Sequence, residues 1–169
     1  MGSSSSARGI AAIVGVGPKL GRSIARKFAH EGYTVAILAR DLGMYSIDYP
    51  LQNGRLQSLS LILSSFSGRL SRFADEIARE EKAQVFAIRI DCSDSRSVRE
   101  AFEGVLSLGF VEVLIYNANQ QVSRKPTRST DVRIESFEKS LAVSSVGAFH
   151  CSQQVHYRAP SLLSISSFQ

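Results

Sequence analysis

The sequence predicts a doubly wound α/β fold built on a parallel sheet. Short apolar runs alternate with longer amphipathic stretches along the chain, which is the pattern of strands joined by crossover helices. The first apolar run leads through closely spaced glycines straight into a helical pattern. The 169 residues, 44% hydrophobic and 21% charged, match one globular domain with a core of its own.

Residues 1–8, MGSSSSAR, are Ser-rich and are expected to form a flexible lead. With one arginine and no apolar segment, it does not read as a secretory signal. A single domain is expected over 9–169. GIAAIV, residues 9–14, is a short apolar run of the kind buried on both faces of a parallel sheet. LGRSIARKFAHEG follows, with Leu20, Ile24, Ala25 and Phe28 at helical spacing and Gly32 as the stop. TVAILAR, residues 34–40, is a second strand and completes a βαβ unit.

Residues 42–66 interrupt the alternation. They carry one acid, one base, Pro50 and the turn pair Asn53-Gly54 where a short loop suffices, so they read as an insertion. The pattern then resumes. SGRLSRFADEIAREEKA places Leu70, Phe73, Ile77 and Ala78 on one helical face, QVFAIRI is the next strand, SRSVREAFEGVLSLG is an amphipathic helix, and VEVLIYNA is a fourth strand. The spacing predicts one long helix over 134–155, with Phe137, Leu141, Ser144 or Ser145, and Ala148 along one stripe. Pro160 closes it, and LLSIS has the composition of a last strand.

Twenty Lys and Arg against fifteen Asp and Glu give a net charge of +5, spread along the chain. Arg22, Arg26 and Lys27 fall at helical spacing, and the compact cluster is Arg124, Lys125 and Arg128. A solvated face explains these better than a nucleic-acid groove. No apolar run approaches the length of a membrane span. Cys92 and Cys151 form neither a CxxC nor a zinc-ligand spacing, so a reduced, cytoplasmic setting is expected, with no metal site. His30 lies at a helix end, where it complements the dipole, and His150 and His156 do not share the i, i+4 spacing of a metal pair.

Gly15, Gly17 and Gly21 form G-x-G-x-x-x-G between the first strand and the first helix. Glycines there let the backbone turn tightly and approach a pyrophosphate, while the free N–H groups of the helix N-terminus attract its charge. Arg40 ends the second strand, where the adenosine ribose of a dinucleotide lies in this geometry. An acid at that place suits the ribose 2′-hydroxyl of NAD, and an arginine suits the 2′-phosphate of NADP. NADP is therefore expected in preference to NAD, although Asp41 beside it offers Arg40 a partner.

The ordered set GVGPKLG, LAR, DCSD, YNAN and VSSVGAF resembles the short-chain dehydrogenase/reductase family over residues 9–155. The resemblance implies a Rossmann domain that transfers hydride between NADP(H) and a carbonyl or alcohol substrate, in proteins that commonly form homo-oligomers. It makes Gly15 and Gly21 the ends of the cofactor fingerprint, with Gly17, Lys19 and Leu20 between them. Asp91, followed by Cys92, contacts the adenine ring, and Asn117 and Ala118 line the cofactor and steady the sheet. This chain departs from the family at Lys19, which replaces the middle glycine, and at Tyr116 and Asn119, which flank the Asn-Ala pair.

Catalysis in the family needs a tyrosine hydroxyl as acid and a lysine four residues later that lowers its pKa. No tyrosine of this sequence has a lysine at that spacing. The chain stops before the helix that carries the pair, so the fold is expected to be incomplete on its C-terminal side, as in a truncated form. Two catalytic candidates remain. Ser144 stands where the family has an asparagine, and Ser166 (or Ser167) could stand for its catalytic serine, although a frayed polar terminus is the plainer reading. Cofactor binding without efficient turnover is expected. The alternative is a non-catalytic dinucleotide-binding or protein-interaction module.

Overall fold

The computed structural model describes residues 8–40, 69–120 and 132–157. The expected insertion at 42–66, the lead before Arg8, Asp41, the cluster Arg124, Lys125 and Arg128, the strand LLSIS and Ser166 lie outside the described residues.

Four strands form one parallel sheet: β1 (Ile10–Val14), β2 (Thr34–Ala39), β3 (Val85–Arg89) and β4 (Val111–Tyr116), in the spatial order β3-β2-β1-β4. Each was legible as an apolar run. Helix α1 (Leu20–His30) joins β1 to β2, α2 (Arg69–Glu81) precedes β3, and α3 (Ser95–Ser107) joins β3 to β4. After β4 come α4 (Ile134–Leu141), a π-helical turn at Ala142–Val146, and α5 (Gly147–Tyr157).

Side chains alternate across a strand, so a strand covered on both faces feeds two cores. Ile10, Ala12 and Val14 of β1 join Ala36 and Leu38 of β2 against Val98, Phe102 and Val105 of α3 and Cys151 of α5. Ile13, with Val35, Ile37 and Ala39, faces Ala25 and Ala29 of α1 and Leu70, Ala74 and Ile77 of α2. Helices thus cover both faces, and the expected doubly wound fold is observed.

Two helical stripes differ from expectation for steric reasons. In α1 the buried residues are Gly21, Ala25 and Ala29, while Leu20 is 60% exposed. A Cβ at position 21 would stand 2.7 Å from the Val16 Cα, so the helix lies too close to the loop after β1 for a larger stripe. In α4–α5 the apolar stripe is present but faces outward: Ile134, Phe137, Leu141, Val146 and Phe149 are all exposed. The inward face is made of smaller residues, Val143, Gly147 and Cys151, at a spacing of four. Gly147 explains the choice, because a Cβ there would meet the Cys92 carbonyl oxygen at 2.5 Å and the Tyr116 hydroxyl at 2.7 Å.

Part of the positive charge is neutralised within the fold. Arg22 pairs with Glu76 at 2.6 Å and Arg26 with Glu80, and a hydrogen bond between the His30 ring and the Glu81 carboxylate at 3.0 Å extends the ladder between α1 and α2. Among the described residues, no helix is long and apolar enough to cross a membrane and no cluster of metal-ligating side chains occurs.

Candidate functional site

The strand order reverses between β1 and β4. From β1 the chain builds outward through β2 to β3, then returns to add β4 on the other side of β1. The loops leaving the C-terminal ends of β1 and β4 therefore diverge and open a crevice, the usual ligand site of an open α/β sheet. A cavity of about 730 Å³ lies there, within the range of small-molecule sites.

Its walls gather residues from every segment that sequence motifs had singled out for a cofactor. Gly15, Gly17, Lys19, Leu20 and Gly21 come from the loop after β1, Arg40 from the end of β2, Cys92 from the loop after β3, and Asn117 and Ala118 from the loop after β4. Asp91 stands outside the lining, beside Cys92. Ser144 is exposed on the π-helical turn and is not part of the lining, whereas its neighbour Val143 is.

The loop after β1 is held by the chain itself. Gly15 has φ +85°, and a Cβ there would lie 2.3 Å from the Ala118 backbone nitrogen, so only glycine lets the β1 and β4 loops close on one another. The Asn117 N–H donates to the Val14 carbonyl at 2.8 Å, and its side-chain amide donates to the Gly15 carbonyl at 3.2 Å. Asn117 thus extends the β1–β4 pairing into the loop.

Gly17 behaves differently. A Cβ there would meet nothing within 4 Å, so packing within the chain does not require glycine at this position. The bare backbone faces open space in the cavity. Beside it, the Arg22 N–H donates to the Gly17 carbonyl and opens the hydrogen-bonding of α1, which leaves the N–H groups of Leu20 and Gly21 without intrahelical acceptors. Lys19 caps the helix without a side-chain hydrogen bond, and the first turn carries no acid. Open backbone, unused N–H groups, the positive end of the α1 dipole, Lys19 and Arg40 together suit a phosphorylated anion.

Arg40 spans the crevice. Its guanidinium donates to the Gln120 side-chain oxygen at 3.0 Å, linking the ends of β2 and β4 across β1, and the Ser140 hydroxyl donates to the Gln120 carbonyl at 2.9 Å. Asp91 is fixed by its own turn: its carboxylate accepts from the Ser93 hydroxyl at 2.7 Å and the Ser93 N–H at 2.9 Å. These bonds, aided by the charges of Arg40 and Arg89, hold its carboxyl below the ordinary aspartate range.

Sequence reasoning missed the apolar walls. Val16, Ala39, Ile90 and Val143 also line the cavity, and so does Asn119, noted only as a departure from the family pattern. It also missed the meeting of Cys92 with Cys151. The two cysteines lie in one buried core cluster, with Cys92 at the cavity wall, while the Tyr116 hydroxyl donates to the Val143 carbonyl.

Comparison with known proteins agrees with the fold. Among solved structures, L-sorbose reductase from Gluconobacter frateurii, complexed with NADPH and L-sorbose, superposes with a TM-score of 0.66 at 19% identity, over 88% of this chain and 46% of that one. A hydroxysteroid dehydrogenase from Escherichia coli gives 0.61 at 23% identity, over 86% and 50%. A short-chain dehydrogenase/reductase from Serratia marcescens gives 0.61 at 19% identity, over 88% and 49%. The chain therefore spans about half the length of the solved structures it matches. Among curated proteins no sequence matches significantly. The short chain dehydrogenase family model matches residues 57–161, more than half of the sequence. A parallel sheet with its crevice at the β1–β4 reversal, and a family match over the greater part of the chain, lead to one conclusion: the chain belongs to the short-chain dehydrogenase/reductase family.

Proposed function

We propose that this chain binds NADP(H) in the crevice at the ends of β1, β2 and β4. One observation carries the reading: residues from four separate segments, chosen for a dinucleotide by motif, line a single cavity whose charged side chains are Lys19 and Arg40. The backbone at Gly15–Gly17 and the N-terminus of α1 hold the pyrophosphate, Arg40 leaves Gln120 to meet the ribose 2′-phosphate, and Asn117 and Ala118 support the nicotinamide half. Asp91 and Cys92 border the adenine end. Such a group, when bound, supplies a hydride for a carbonyl or accepts one from an alcohol.

Hydride transfer also needs a proton donor at the carbonyl oxygen. This 169-residue stretch contains no tyrosine followed four residues later by lysine. We therefore expect it to bind the dinucleotide without efficient turnover by itself. The exposed apolar stripe Ile134, Phe137 and Leu141 favours a further element of the reading, that the α4–α5 face is covered by a second copy of the chain.

The test is a titration of the purified chain with NADPH and with NADH, following nucleotide fluorescence and thermal stability together. A ligand that binds only the native state must raise its melting temperature. Saturable binding that prefers NADPH is expected. Arg40→Asp should weaken NADPH by about ten- to a hundredfold, the loss of one charge-assisted contact, and leave NADH nearly unchanged. Equal losses for both nucleotides would remove the NADP assignment.

A further inference from the structure

Cys92 and Cys151 are far apart in sequence and meet in the fold. Cys92 follows β3 and lines the cavity, and it is 6% exposed. Cys151 lies on the inward face of α5 and is completely buried in the same core. The helix is seated on Cys92 one turn earlier, where Gly147 comes so near that a Cβ would stand 3.0 Å from the Cys92 Cβ. Gly147 and Cys151 share one helical face, so the close approach that excludes a side chain at 147 also delivers the Cys151 thiol to Cys92.

We propose that Cys92 and Cys151 form a peroxide-responsive thiol pair, with Cys92 as the reactive member, reached through the cavity, and Cys151 as the resolving one. The Cys92 sulfur attacks one oxygen of hydrogen peroxide. An S–O bond forms, the O–O bond breaks, and the departing hydroxide takes up the thiol proton as water; the sulfur is oxidised to a sulfenic acid and the peroxide is reduced. The Cys151 sulfur then attacks the Cys92 sulfur. The S–S bond forms, the S–O bond breaks, and the oxygen leaves as a second water with the Cys151 proton. The disulfide ties α5 to the end of β3.

The geometry favours this order. Full burial shields Cys151 from solution, whereas Cys92 opens on a cavity large enough for a small oxidant. A disulfide needs its sulfurs at about 2.05 Å, and the seating of α5 on Cys92 at Gly147, with Cys151 one turn further along the same face and in the same core cluster, brings the two side chains within one packed site. The groups facing Cys92 are Cys151, Tyr116, Asp91 and Arg40. Hydrogen bonding with Cys151, assisted by Tyr116 and Arg40, brings the Cys92 thiol down to about 7 against the opposing effects of burial and the Asp91 charge. The same hydrogen bond and burial push Cys151 up.

The inference concerns the thiols and stands apart from the dinucleotide reading. The test treats the folded chain with hydrogen peroxide and reads intact mass and non-reducing peptide maps. The expected result is a loss of two hydrogen atoms, a Cys92–Cys151 cross-linked peptide, and full reversal by dithiothreitol. Cys151→Ser should leave a sulfenic acid on Cys92 that dimedone traps, and Cys92→Ser should abolish both products. Sulfinic acid on Cys92 of the unaltered chain without a cross-link would overturn the proposal, as would direct oxidation of Cys151 in Cys92→Ser. Saturating NADP⁺, where its binding is shown, should slow the cross-link by about tenfold or more. An unchanged rate with bound nucleotide would overturn the route through the cavity. If NADP⁺ does not bind, the dinucleotide reading fails, while the cross-link in the unaltered chain still decides the fate of the thiol pair.

Discussion

β1 and β4 are paired neighbours, in register from Ala11↔Val113 to Val14↔Tyr116, and they read almost alike in sequence, IAAIV beside VEVLIY. Yet every residue of β1 is buried, while no residue of β4 is more than partly so. Their surroundings account for the difference. β1 has a strand on each side and helices on both faces, whereas β4 has no strand on its outer edge among the described residues. Apolar composition gives a strand the capacity for burial, and its place in the sheet decides how much of that capacity is used.

The sharpest way to break the comparison is to strike the point where the two strands' loops meet. Gly15→Val adds a side chain at φ +85° against the Ala118 backbone, and neither the strained conformation nor the backbone can yield at small cost. A loss of at least about 3 kcal/mol in chemical denaturation is expected. Gly17→Ala, two residues away in open space, should leave the melting temperature nearly unchanged and be felt only by a ligand.

A direct comparison uses register partners of one residue type. Ile13 in β1 is completely buried, and Ile115 in β4, opposite it, is half-buried. Ile13→Ala should cost about 2–5 kcal/mol, the range for a closed core site, and Ile115→Ala clearly less. Equal losses in urea melts would show that β4 is as well covered as β1.

The smallest effect on stability should come from the outward stripe. Phe137→Ser combined with Phe149→Ser removes two exposed rings and should change monomer stability by no more than about 0.5 kcal/mol. The same pair should alter the mass measured by light scattering if a second copy covers this face. A large stability loss at concentrations where the chain is monomeric would mean that the rings pack within the chain instead.

The strands, the order of helices and the glycine-rich crevice were legible because each rests on local sequence. GIAAIV and TVAILAR declare buried strands, and the glycines declare a tight turn between β1 and α1, while the intrachain contacts that also require Gly15 and Gly21, against Ala118 and Val16, emerge only in the fold. The facing of α4–α5 was not legible. Phe137 and Leu141 form the more apolar stripe, but the distance from α5 to the loop after β3 admits only Val143, Gly147 and Cys151 on the inside. That distance is a property of the assembled layers, and so is the contact of Cys92 with Cys151. Nor did local sequence reveal the Asn117 amide that holds the Gly15 carbonyl, since its role depends on β4 returning to β1.

That return also has a temporal side. The Gly9 N–H donates to the Glu112 carboxylate across 103 positions of sequence, and Ile10 pairs with Val111. During synthesis β1, β2 and β3 leave the ribosome in the order in which they pair, and they can associate as they emerge. The other edge of β1 must wait for β4, an interval of roughly 5–20 s at ordinary rates of translation. Throughout it, an apolar parallel edge is open to any strand that passes. The reversal that creates the crevice therefore leaves the nascent chain open to mispairing at the free edge of β1 until β4 emerges.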